Sequence, residues 1–555
     1  MKYTDRNVGV RHSELMDPGS RPGEPQSLMS EKLKAGIAPD PANAAVTLGL
    51  ASPSVKPESA PRSLLSGASG LLRAVFSFPA MLVGWLLLMV VRLTVDRLPD
   101  PDIWFHLRNA QYLLTNHHLA SFDRYSFTAP GTLWVDHEWL GEVPYYLAWQ
   151  AFGLEGIEVL MLAVLALVAL GILYICYLRN GHVKAGVLAC FLAAHLASVN
   201  AGPRTILFGY LYVVILLIIL ERFRARGHAP WWLIPPLFCI WINSHGSWLL
   251  GMIILAIFTA SGFVEGRWGR IEAMRWQPRQ AKQLLAALAA SAVALFLNPY
   301  GHRLVLYPFN LAFRQDLTLA YVDEWASVNF HSLRGTVVLL LLAGMFVSAL
   351  ASSHRWRLSD LALVLFGFYL GLTHERFLFL LAVVATPVVA QLLAGVVPPY
   401  RVEIDKPWLN AAILAGILIF VCSKFPSPAR LEAQVAQEYP AEILPYLESH
   451  PPAGRMLNFF GWGGYLGWKE PNLKVFIDTR VEMFLTNGIF ADYVKVVTLD
   501  DTLRRLDQYH IRYVLFPTDG PLPYFLTTTK EWKVDYRGQI STLLERVNLH
   551  DDEHE

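Results

Sequence analysis

Acidic and imidazole side chains that can exchange protons crowd into one polar stretch, from residue 97 to residue 142. A carboxylate can take a proton from a hydroxyl group or hold a divalent cation, and an imidazole can pass a proton on. The stretch sets these groups among tyrosines and tryptophans, which favour the boundary between membrane and water. Its chemically capable residues are Asp100, Asp102, His106, Asp123, Asp136, His137 and Glu138.

The apolar runs on either side of this stretch locate it. Residues 74–95 and 156–178 are each apolar over a length that can cross a bilayer, which takes about 20 residues of helix. The stretch between them carries too many charges to cross, so it forms a loop on one membrane face. This position predicts chemistry performed at a membrane surface.

Composition agrees with a membrane protein. The 555 residues are 54% hydrophobic and 16% charged, with a mean hydropathy of +0.36, which indicates a polytopic membrane protein with a soluble part. The net charge of +1 includes no basic block of the kind that binds nucleic acid. All four cysteines fall within apolar runs, so we expect neither a disulfide framework nor a CxxC metal site.

The apolar runs predict about eleven membrane-spanning helices. Residues 231–264 are long enough for two short spans and are broken by a polar run at 243–247, which predicts a hairpin. Residues 138–152 are predicted to form an interfacial helix, because two glutamates and a proline interrupt them. The other predicted spans are residues 74–95, 156–178, 184–200, 206–221, 282–298, 336–352, 358–373, 377–396 and 408–422.

Arginine and lysine mark alternate connections between these spans. By the positive-inside rule the basic connections are cytoplasmic, which places the N-terminus inside and both the loop 97–142 and the C-terminal part outside. We expect residence in the plasma membrane, that is, the inner membrane of a bacterium. The basic connections lie near residues 179–184, 222–226, 267–282, 354–357 and 401–406.

The predicted organisation therefore has three parts. Residues 1–70 are rich in Pro, Ser and Gly and are predicted to be a disordered cytoplasmic tail. Residues 71–422 form the helical membrane domain with its exterior loop 97–142. Residues 423–555 alternate short strands, including 474–477, with helices, which predicts an exterior soluble α/β domain. The glycines at 461–464 have the wrong spacing for a dinucleotide site, so we assign them no cofactor.

Basic side chains recur at the exterior turns. Arg204, His374 and Arg376 are the candidates for binding a phosphate group, because guanidinium pairs bidentately with phosphate oxygens. The structural alternative for each is a side chain that snorkels at the end of a span. Asp323 and Glu324, in another exterior loop, are candidate second carboxylates or metal ligands; the alternative is a solvated turn.

The acids of the loop also have structural alternatives. Ile103, Leu107, Ala110 and Leu114 share one helical face, so a helix begins near Asp102, and that aspartate can simply cap it. Asp136 and Glu138, with His137 between them, are further candidate second carboxylates, and they can likewise cap the next helix. Capping and catalysis are compatible, because a cap fixes a carboxylate in place.

This arrangement resembles the membrane glycosyltransferases of the GT-C fold. The resemblance consists of Asp100-Pro101-Asp102 just after the first span, the aromatic helix DPDIWFHLRNAQYLL, the many spans and the exterior C-terminal part. This family uses polyprenyl-phosphate sugars and includes protein mannosyltransferases, lipid A aminoarabinose transferases and oligosaccharyltransferases. The stretches WGGYLGW and VFIDTR do not resemble the acceptor-binding motif of oligosaccharyltransferases.

The resemblance implies a sugar transferred from a polyprenyl-phosphate donor to an exterior glycan, lipid or protein. Asp102 or Asp100 would be the general base, Arg204, His374 and Arg376 would bind the donor phosphate, and His106 and His137 would be auxiliary. The cofactor stays open, with Mg²⁺ or Mn²⁺ fitting Asp102 together with Asp323 and Glu324. A transporter and a non-catalytic envelope assembly protein are the alternatives. A transporter would carry its charges near mid-membrane, whereas here they lie at span ends.

Overall fold

The computed structural model describes residues 68–95, 97–198, 201–227, 229–312 and 323–547. The predicted disordered tail lies outside these ranges except for its last three residues, so its disorder stays a prediction. From Arg73 onward the chain forms one compact unit.

Helices make up most of the described chain as far as residue 424. They follow the apolar runs, because a backbone in lipid must satisfy its hydrogen bonds internally. In chain order they are α1 (Ala68–Val75), α2 (Phe78–Thr94), α3 (Pro101–Asn116), α4 (Trp139–Asn180), α5 (Val183–Ala197), α6 (Ile206–Arg226), α7 (Ile234–Ser244), α8 (Trp248–Ser261), α9 (Pro278–Ala294), α10 (His302–Ala312), α11 (Leu333–Ala351), α12 (Leu358–Thr373), α13 (Leu378–Ala394) and α14 (Pro407–Lys424).

Every predicted span coincides with a helix, but the count of eleven membrane crossings stays a prediction. Among the described residues, five helical segments are long and apolar enough to cross a membrane: α4, α6, α11, α14 and Glu375–Ala394, which contains α13. The predicted hairpin consists of α7 and α8, with 11 and 14 residues. Both are shorter than the roughly 20 residues that a bilayer takes.

Helix α4 joins the predicted interfacial segment and the following span in one run of 42 residues. A kink at Phe152 and Gly153 separates them, and Gly153 adopts φ 60° and ψ −142°. Glycine adopts this conformation at little cost because it has no Cβ atom. The part before the kink therefore has its own direction, as expected for a separate segment; its place in the interface stays a prediction.

The chain after residue 424 combines short helices with a four-stranded sheet. The helices are α15 (Pro428–Glu438), α16 (Leu444–Ser449), α17 (Gly463–Lys469), α18 (Val481–Thr486), α19 (Ile489–Val497), α20 (Thr502–Gln508) and α21 (Pro521–Thr528). Three two- or three-residue strands, β1 (Gly266–Trp268), β2 (Ile271–Ala273) and β3 (Trp356–Arg357), lie earlier in the chain. The strands of the C-terminal sheet are β4 (Arg455–Asn458), β5 (Ile511–Pro517), β6 (Trp532–Arg537) and β7 (Ser541–Arg546).

The order of this sheet is β4-β5-β7-β6, with β4 parallel to β5 and the other pairs antiparallel. The predicted strand at 474–477 is wrong, because this segment pairs with the exterior loop instead of joining the sheet. Val475 donates to Tyr125 O at 3.1 Å and accepts from Phe127 N at 3.0 Å. The loop and the C-terminal part are thus joined through their backbones.

The exterior loop and the C-terminal part are also in contact where α17 packs closely on α3. A Cβ atom at Gly464 would lie 3.2 Å from Pro101 O, and one at Gly467 would lie 2.5 Å from an Arg108 nitrogen. The absence of a Cβ atom leaves room for this close approach. Gly464 and Gly467 of the WGGYLGW stretch therefore pack α17 against the helix that opens the loop.

Two arginines of the predicted cytoplasmic connections lie in a buried cluster of charges. Arg179 lies 2.6 Å from Glu221 and 3.1 Å from Asp360, and Arg224 lies 3.0 and 3.1 Å from the same two carboxylates. Paired charges are the form in which buried ionic groups are stable. This cluster ties α4, α6 and α12 together at the end opposite the exterior loop.

Candidate functional site

Helix α3 begins with an aspartate cap that brings two carboxylates together. Asp100 accepts a hydrogen bond from the Asp102 backbone N–H at 3.0 Å, and Pro101 lies in the first turn. Capping by Asp102, the structural alternative from the sequence, is therefore wrong. Proline favours the first helical position, so the cap is the residue before it. Asp102 then lies in the first turn, where the helix dipole favours its negative charge.

Three carboxylates converge on Arg204, which lies two residues before the start of α6. Its Nε lies 2.6 Å from Asp100 Oδ2 and 3.5 Å from Asp102 Oδ2, and its Nη1 contacts Glu324. Burial lowers the pKa of Arg204, but the three negative charges outweigh this and raise it well above its usual value. For Asp100, burial raises the pKa and Arg204 opposes that rise. Arg204, a predicted phosphate ligand, thus pairs with carboxylates of its own chain.

A second group of side chains surrounds Glu138, and we call it the imidazole cage. Its Oε1 lies 3.5 Å from His137 Nε2 and 3.4 Å from His245 Nε2, and its Oε2 lies 3.6 Å from His106 Nε2. Thr205 adds a side-chain hydrogen bond to Glu138. Four chain segments meet here: α3, the end of the exterior loop, the turn before α6 and the turn between α7 and α8.

A pair of buried groups lies behind the cage. His106 Nδ1 lies 2.8 Å from Glu142 Oε1, and the Asn109 amide donates to the same oxygen at 3.2 Å. His106 and Glu142 are each only 1% exposed. Asp136 lies nearby, and burial, followed by the charge of Glu142, raises its pKa well above the usual value. Asp136 therefore keeps its proton to a higher pH than an ordinary aspartate does.

Burial sets the charge of the cage. It lowers the pKa of His137 to about 4 and holds that of His245 well below its usual value, so both imidazoles are neutral at pH 7. Burial also raises the pKa of Glu138. The Glu138 side chain is thus a carboxyl group of raised pKa beside neutral imidazoles. It does not cap α4 through its side chain, so that alternative is wrong for Glu138.

Arg376 and His374, the other two phosphate candidates, lie beside Trp325. The Arg376 guanidinium carbon is 4.4 Å from the centre of the Trp325 ring, and His374 Nδ1 is 2.7 Å from Trp325 O. Arg376 also acts electrostatically on His137 and Glu138, so its charge lies near the imidazole cage. A cavity of about 490 Å³ opens beside them, lined by Trp325, Ala326, Ser327, Tyr369, Leu370, Thr373 and His374.

The C-terminal part also reaches the site, which the sequence did not predict. Glu482 of α18 interacts electrostatically with His137 and Glu138. The His137 ring lies against Tyr307, with 4.5 Å between the ring centres, and Tyr307 also lies within the field of Glu482. Glu482, on a helix of the C-terminal part, therefore lies close enough to the imidazole cage to act on its charges.

Arg480, two residues before Glu482, ties the start of α18 to the exterior loop. Its Nη2 lies 2.8 Å from Asp123 Oδ1 and 2.6 Å from Asp478 Oδ2, and all three side chains are at most 2% exposed. The guanidinium also faces the Tyr125 ring at 4.8 Å. The two carboxylates raise the pKa of Arg480 against the effect of burial, which lowers it. Arg480 keeps its charge at any ordinary pH, and the triad holds the loop in place.

The structure thus brings together most of the predicted site residues. Asp100, Asp102, Arg204 and Glu324 form one group, and His106, Asp136, His137 and Glu138 form the other, with His374 and Arg376 beside them. The side chain of Asp323 lies outside the described residues. Glu142, Thr205, Tyr307 and Glu482 were not predicted; a polar residue in an otherwise apolar run, as at Glu142, was the available signal.

The sequence left open a divalent cation at Asp102 with Asp323 and Glu324. Among the described residues, no group of three His, Cys, Asp or Glu side chains is arranged to hold a metal ion. The oxygens of Asp102 and Glu324 face Arg204, whose guanidinium already balances their charge. As placed, Asp102 and Glu324 therefore do not fit a cation at this point.

Comparison with known proteins identifies the fold. No protein-family model and no curated protein sequence matches the chain. The structure resembles the Archaeoglobus fulgidus oligosaccharyltransferase tethered to an acceptor peptide with the NVT sequon, with TM-score 0.50 and 13% identity over 80% of this chain and 69% of that one. It is also similar to ArnT from Cupriavidus metallidurans bound to undecaprenyl phosphate, with TM-score 0.48 and 14% identity over 86% and 98%. The first likeness shows that the chain has the GT-C fold.

Proposed function

We propose that this chain, which has the GT-C fold, is an integral membrane glycosyltransferase. It would transfer a sugar from a polyprenyl-phosphate donor to an acceptor on the exterior face. The observation that carries the proposal is the meeting of the Arg204 group, the imidazole cage and Arg376 at one end of the helices. Acids that handle a proton and a guanidinium beside a cavity are the parts that such a transfer needs.

Arg376 is the proposed partner of the donor phosphate. It stands on Trp325 at the edge of the 490 Å³ cavity, and His374 lines that cavity. A fixed guanidinium stabilises the negative charge that develops on a departing phosphate. Arg204 is engaged by three carboxylates, so we give it the role of holding Asp102 beside the reacting sugar. The general-base role that the sequence assigns to Asp102 or Asp100 stays a prediction.

The proposal is tested with the purified full chain and radiolabelled polyprenyl-phosphate hexoses and pentoses. Transfer of label to glycans, lipids or proteins from a cell envelope is the expected result. A deletion strain that loses one envelope glycan would identify the acceptor. Absence of transfer with every donor and acceptor fraction, together with substrate flux in proteoliposomes, would favour the transporter instead.

Arg376→Lys is expected to reduce transfer by about 10²-fold while the protein stays folded. Lysine keeps the positive charge but loses the planar fork that pairs with two phosphate oxygens, and one lost donor in such a site typically costs about 10²- to 10³-fold. Initial rates at saturating and limiting donor measure the effect. The matched control is Arg334→Lys. Arg334 lies 3.6 Å from Glu375 and belongs neither to the Arg204 group nor to the imidazole cage. Equal rates for both variants would show that Arg376 packs on Trp325 without binding the donor phosphate.

Labelling of single cysteines tests the proposed topology. Cysteines at Ser121 and Thr527, both exposed, are expected to react with an impermeant thiol reagent in intact cells, or in spheroplasts where an outer membrane blocks access. A cysteine at Met274, which is 79% exposed in a predicted cytoplasmic connection, is expected to react only after permeabilisation. The opposite pattern would invert the topology and move the site to the cytoplasmic face.

A further inference from the structure

We propose that Glu138 is the carboxylate that accepts the proton of the acceptor hydroxyl, and that His106 and Glu142 are positioning residues that hold it for this step. This inference rests on the proposed glycosyl transfer. It replaces the assignment of the base to Asp102 or Asp100, which the sequence favours.

The two aspartates at the start of α3 are poorly placed to take a proton. Asp100 is engaged twice, as the cap of α3 and in a 2.6 Å ion pair with Arg204. Asp102 lies 3.5 Å from the same guanidinium. For Asp100, Arg204 opposes the rise in pKa that burial causes. Because the guanidinium engages both aspartates, we give them the role of fixed partners of Arg204.

Glu138 has the opposite surroundings. The imidazole nitrogens of the cage lie 3.4–3.6 Å from its oxygens, beyond the usual hydrogen-bond length of about 2.7–3.2 Å. The imidazoles therefore confine the carboxylate without using up its lone pairs, and among the described residues only the hydrogen bond from Thr205 engages it. Burial also raises the pKa of Glu138, which brings the carboxyl group closer to the range in which a general base works well.

The hydrogen bonds around the cage hold two of its imidazole rings in place. Ser247 N donates to His245 Nδ1 at 3.0 Å, so the proton of neutral His245 is on Nε2, facing Glu138. His106 Nδ1 and Glu142 Oε1 share a hydrogen bond of 2.8 Å, and His106 Nε2 lies 3.6 Å from Glu138. Glu142 thus holds the His106 ring in the orientation that presents Nε2 to Glu138.

The proposed step balances as follows. The acceptor oxygen forms a bond to the anomeric carbon of the sugar, and the bond from that carbon to the phosphate oxygen breaks, with its electron pair leaving on the phosphate. The hydroxyl proton passes to Glu138. It then returns to solvent, and no further reactant is required.

Several other charged and titratable groups face Glu138 and enter its pH dependence. Removing a nearby negative charge lowers the pKa of a carboxyl group, and removing a positive one raises it. These groups are His106 on α3, His137 in the loop, His245 after α7, Asp102, Asp136, Glu142, Arg376, Tyr307 and Glu482.

The first test compares the pH dependence of kcat/KM in Glu138→Gln and Asp102→Asn. A base must be deprotonated to act, so the wild-type kcat/KM falls at low pH as Glu138 gains its proton. We call this fall the acid limb of the pH profile. Glu138→Gln is expected to lose about 10²- to 10⁴-fold in rate, and its residual rate is expected to lack this acid limb. Asp102→Asn is expected to keep the limb and to move it to lower pH, because the charge of Asp102 raises the pKa of Glu138.

The second test separates positioning from folding at His106. Asparagine places its amide nitrogen near the position of Nδ1 and keeps the bond to Glu142, whereas glutamine places it near Nε2 and keeps the contact with Glu138. We therefore expect His106→Gln to retain more transfer than His106→Asn, with similar thermal stability. Glu142→Gln, which keeps the shape of the side chain, is expected to lower kcat with little change in donor KM.

The outcomes distinguish this inference from the proposed function. A wild-type chain that transfers no sugar from any polyprenyl-phosphate donor overturns the function. A wild-type chain that transfers sugar, with Glu138→Gln retaining its rate or its acid limb, overturns the inference alone. Loss of the limb in Asp102→Asn returns the base to Asp102.

Discussion

Replacing Arg480 with methionine is expected to destabilise the protein by about 3–5 kcal/mol, because it leaves two buried carboxylates without their counter-charge. Asp123 and Asp478 are 0% and 2% exposed, so water cannot take the place of the guanidinium. The thermal midpoint of the purified chain in detergent measures the effect. Because the triad joins the exterior loop to α18, transfer should fall together with stability.

The control for this prediction is an arginine–aspartate ion pair on the surface. Arg504 is 74% exposed beside Asp501, and Arg504→Met is expected to leave the thermal midpoint unchanged. Adding Asp123→Asn and Asp478→Asn to Arg480→Met is expected to recover part of the loss, since it removes the unpaired charges. A midpoint for Arg480→Met equal to that of Arg504→Met would show that the triad does not hold the loop.

The helices of the membrane part could be predicted because their cause is local. A run of apolar residues with no charge has one stable backbone form in lipid, so every predicted run contains a helix. The number of crossings could not be predicted in the same way. Helices α7 and α8 have 11 and 14 residues, and composition alone does not show whether such short elements cross.

The members of the candidate site were largely predictable, whereas their pairing was not. The positive-inside rule places Arg204, His245 and Arg376 on the same face as the exterior loop, and in the structure they meet there. The partner of each residue depends on tertiary packing. Arg204, whose role as a phosphate ligand stays a prediction, meets Asp100, 104 positions earlier in the chain.

Two errors of detail have a physical cause in neighbouring residues. The cap of α3 lies at Asp100 because Pro101 fixes the first helical position. Residues 474–477 have the composition of a strand, but their backbone partner is Tyr125 of the exterior loop, far away in sequence. The contact between the exterior loop and the C-terminal part also brings Glu482 to the site. Because these parts lie far apart in sequence, the sequence did not reveal this contribution.

Substitutions at Asp102 and Asp100 separate charge from capping at the start of α3. We expect Asp102→Asn and Asp102→Ala to lose transfer equally, by about 10²- to 10³-fold, because each removes a negative charge from beside the reacting sugar. Neither should change stability through the cap, since Asp102 caps nothing. Asp100→Ala removes the cap and is expected to cost about 0.5–2 kcal/mol, whereas Asp100→Asn keeps it because asparagine caps about as well as aspartate.

Initial rates with a labelled donor and thermal midpoints in the same detergent give both readouts for the four variants. The combination that identifies a charge acting on the reaction is a large loss of rate at Asp102 with an unchanged midpoint. Asp100→Asn is expected to lose rate as well, because Arg204 would lose its 2.6 Å partner and could no longer hold Asp102 in place. Full activity in both asparagine variants would remove the start of α3 from the reaction and leave the imidazole cage, with Glu138, as the catalytic centre.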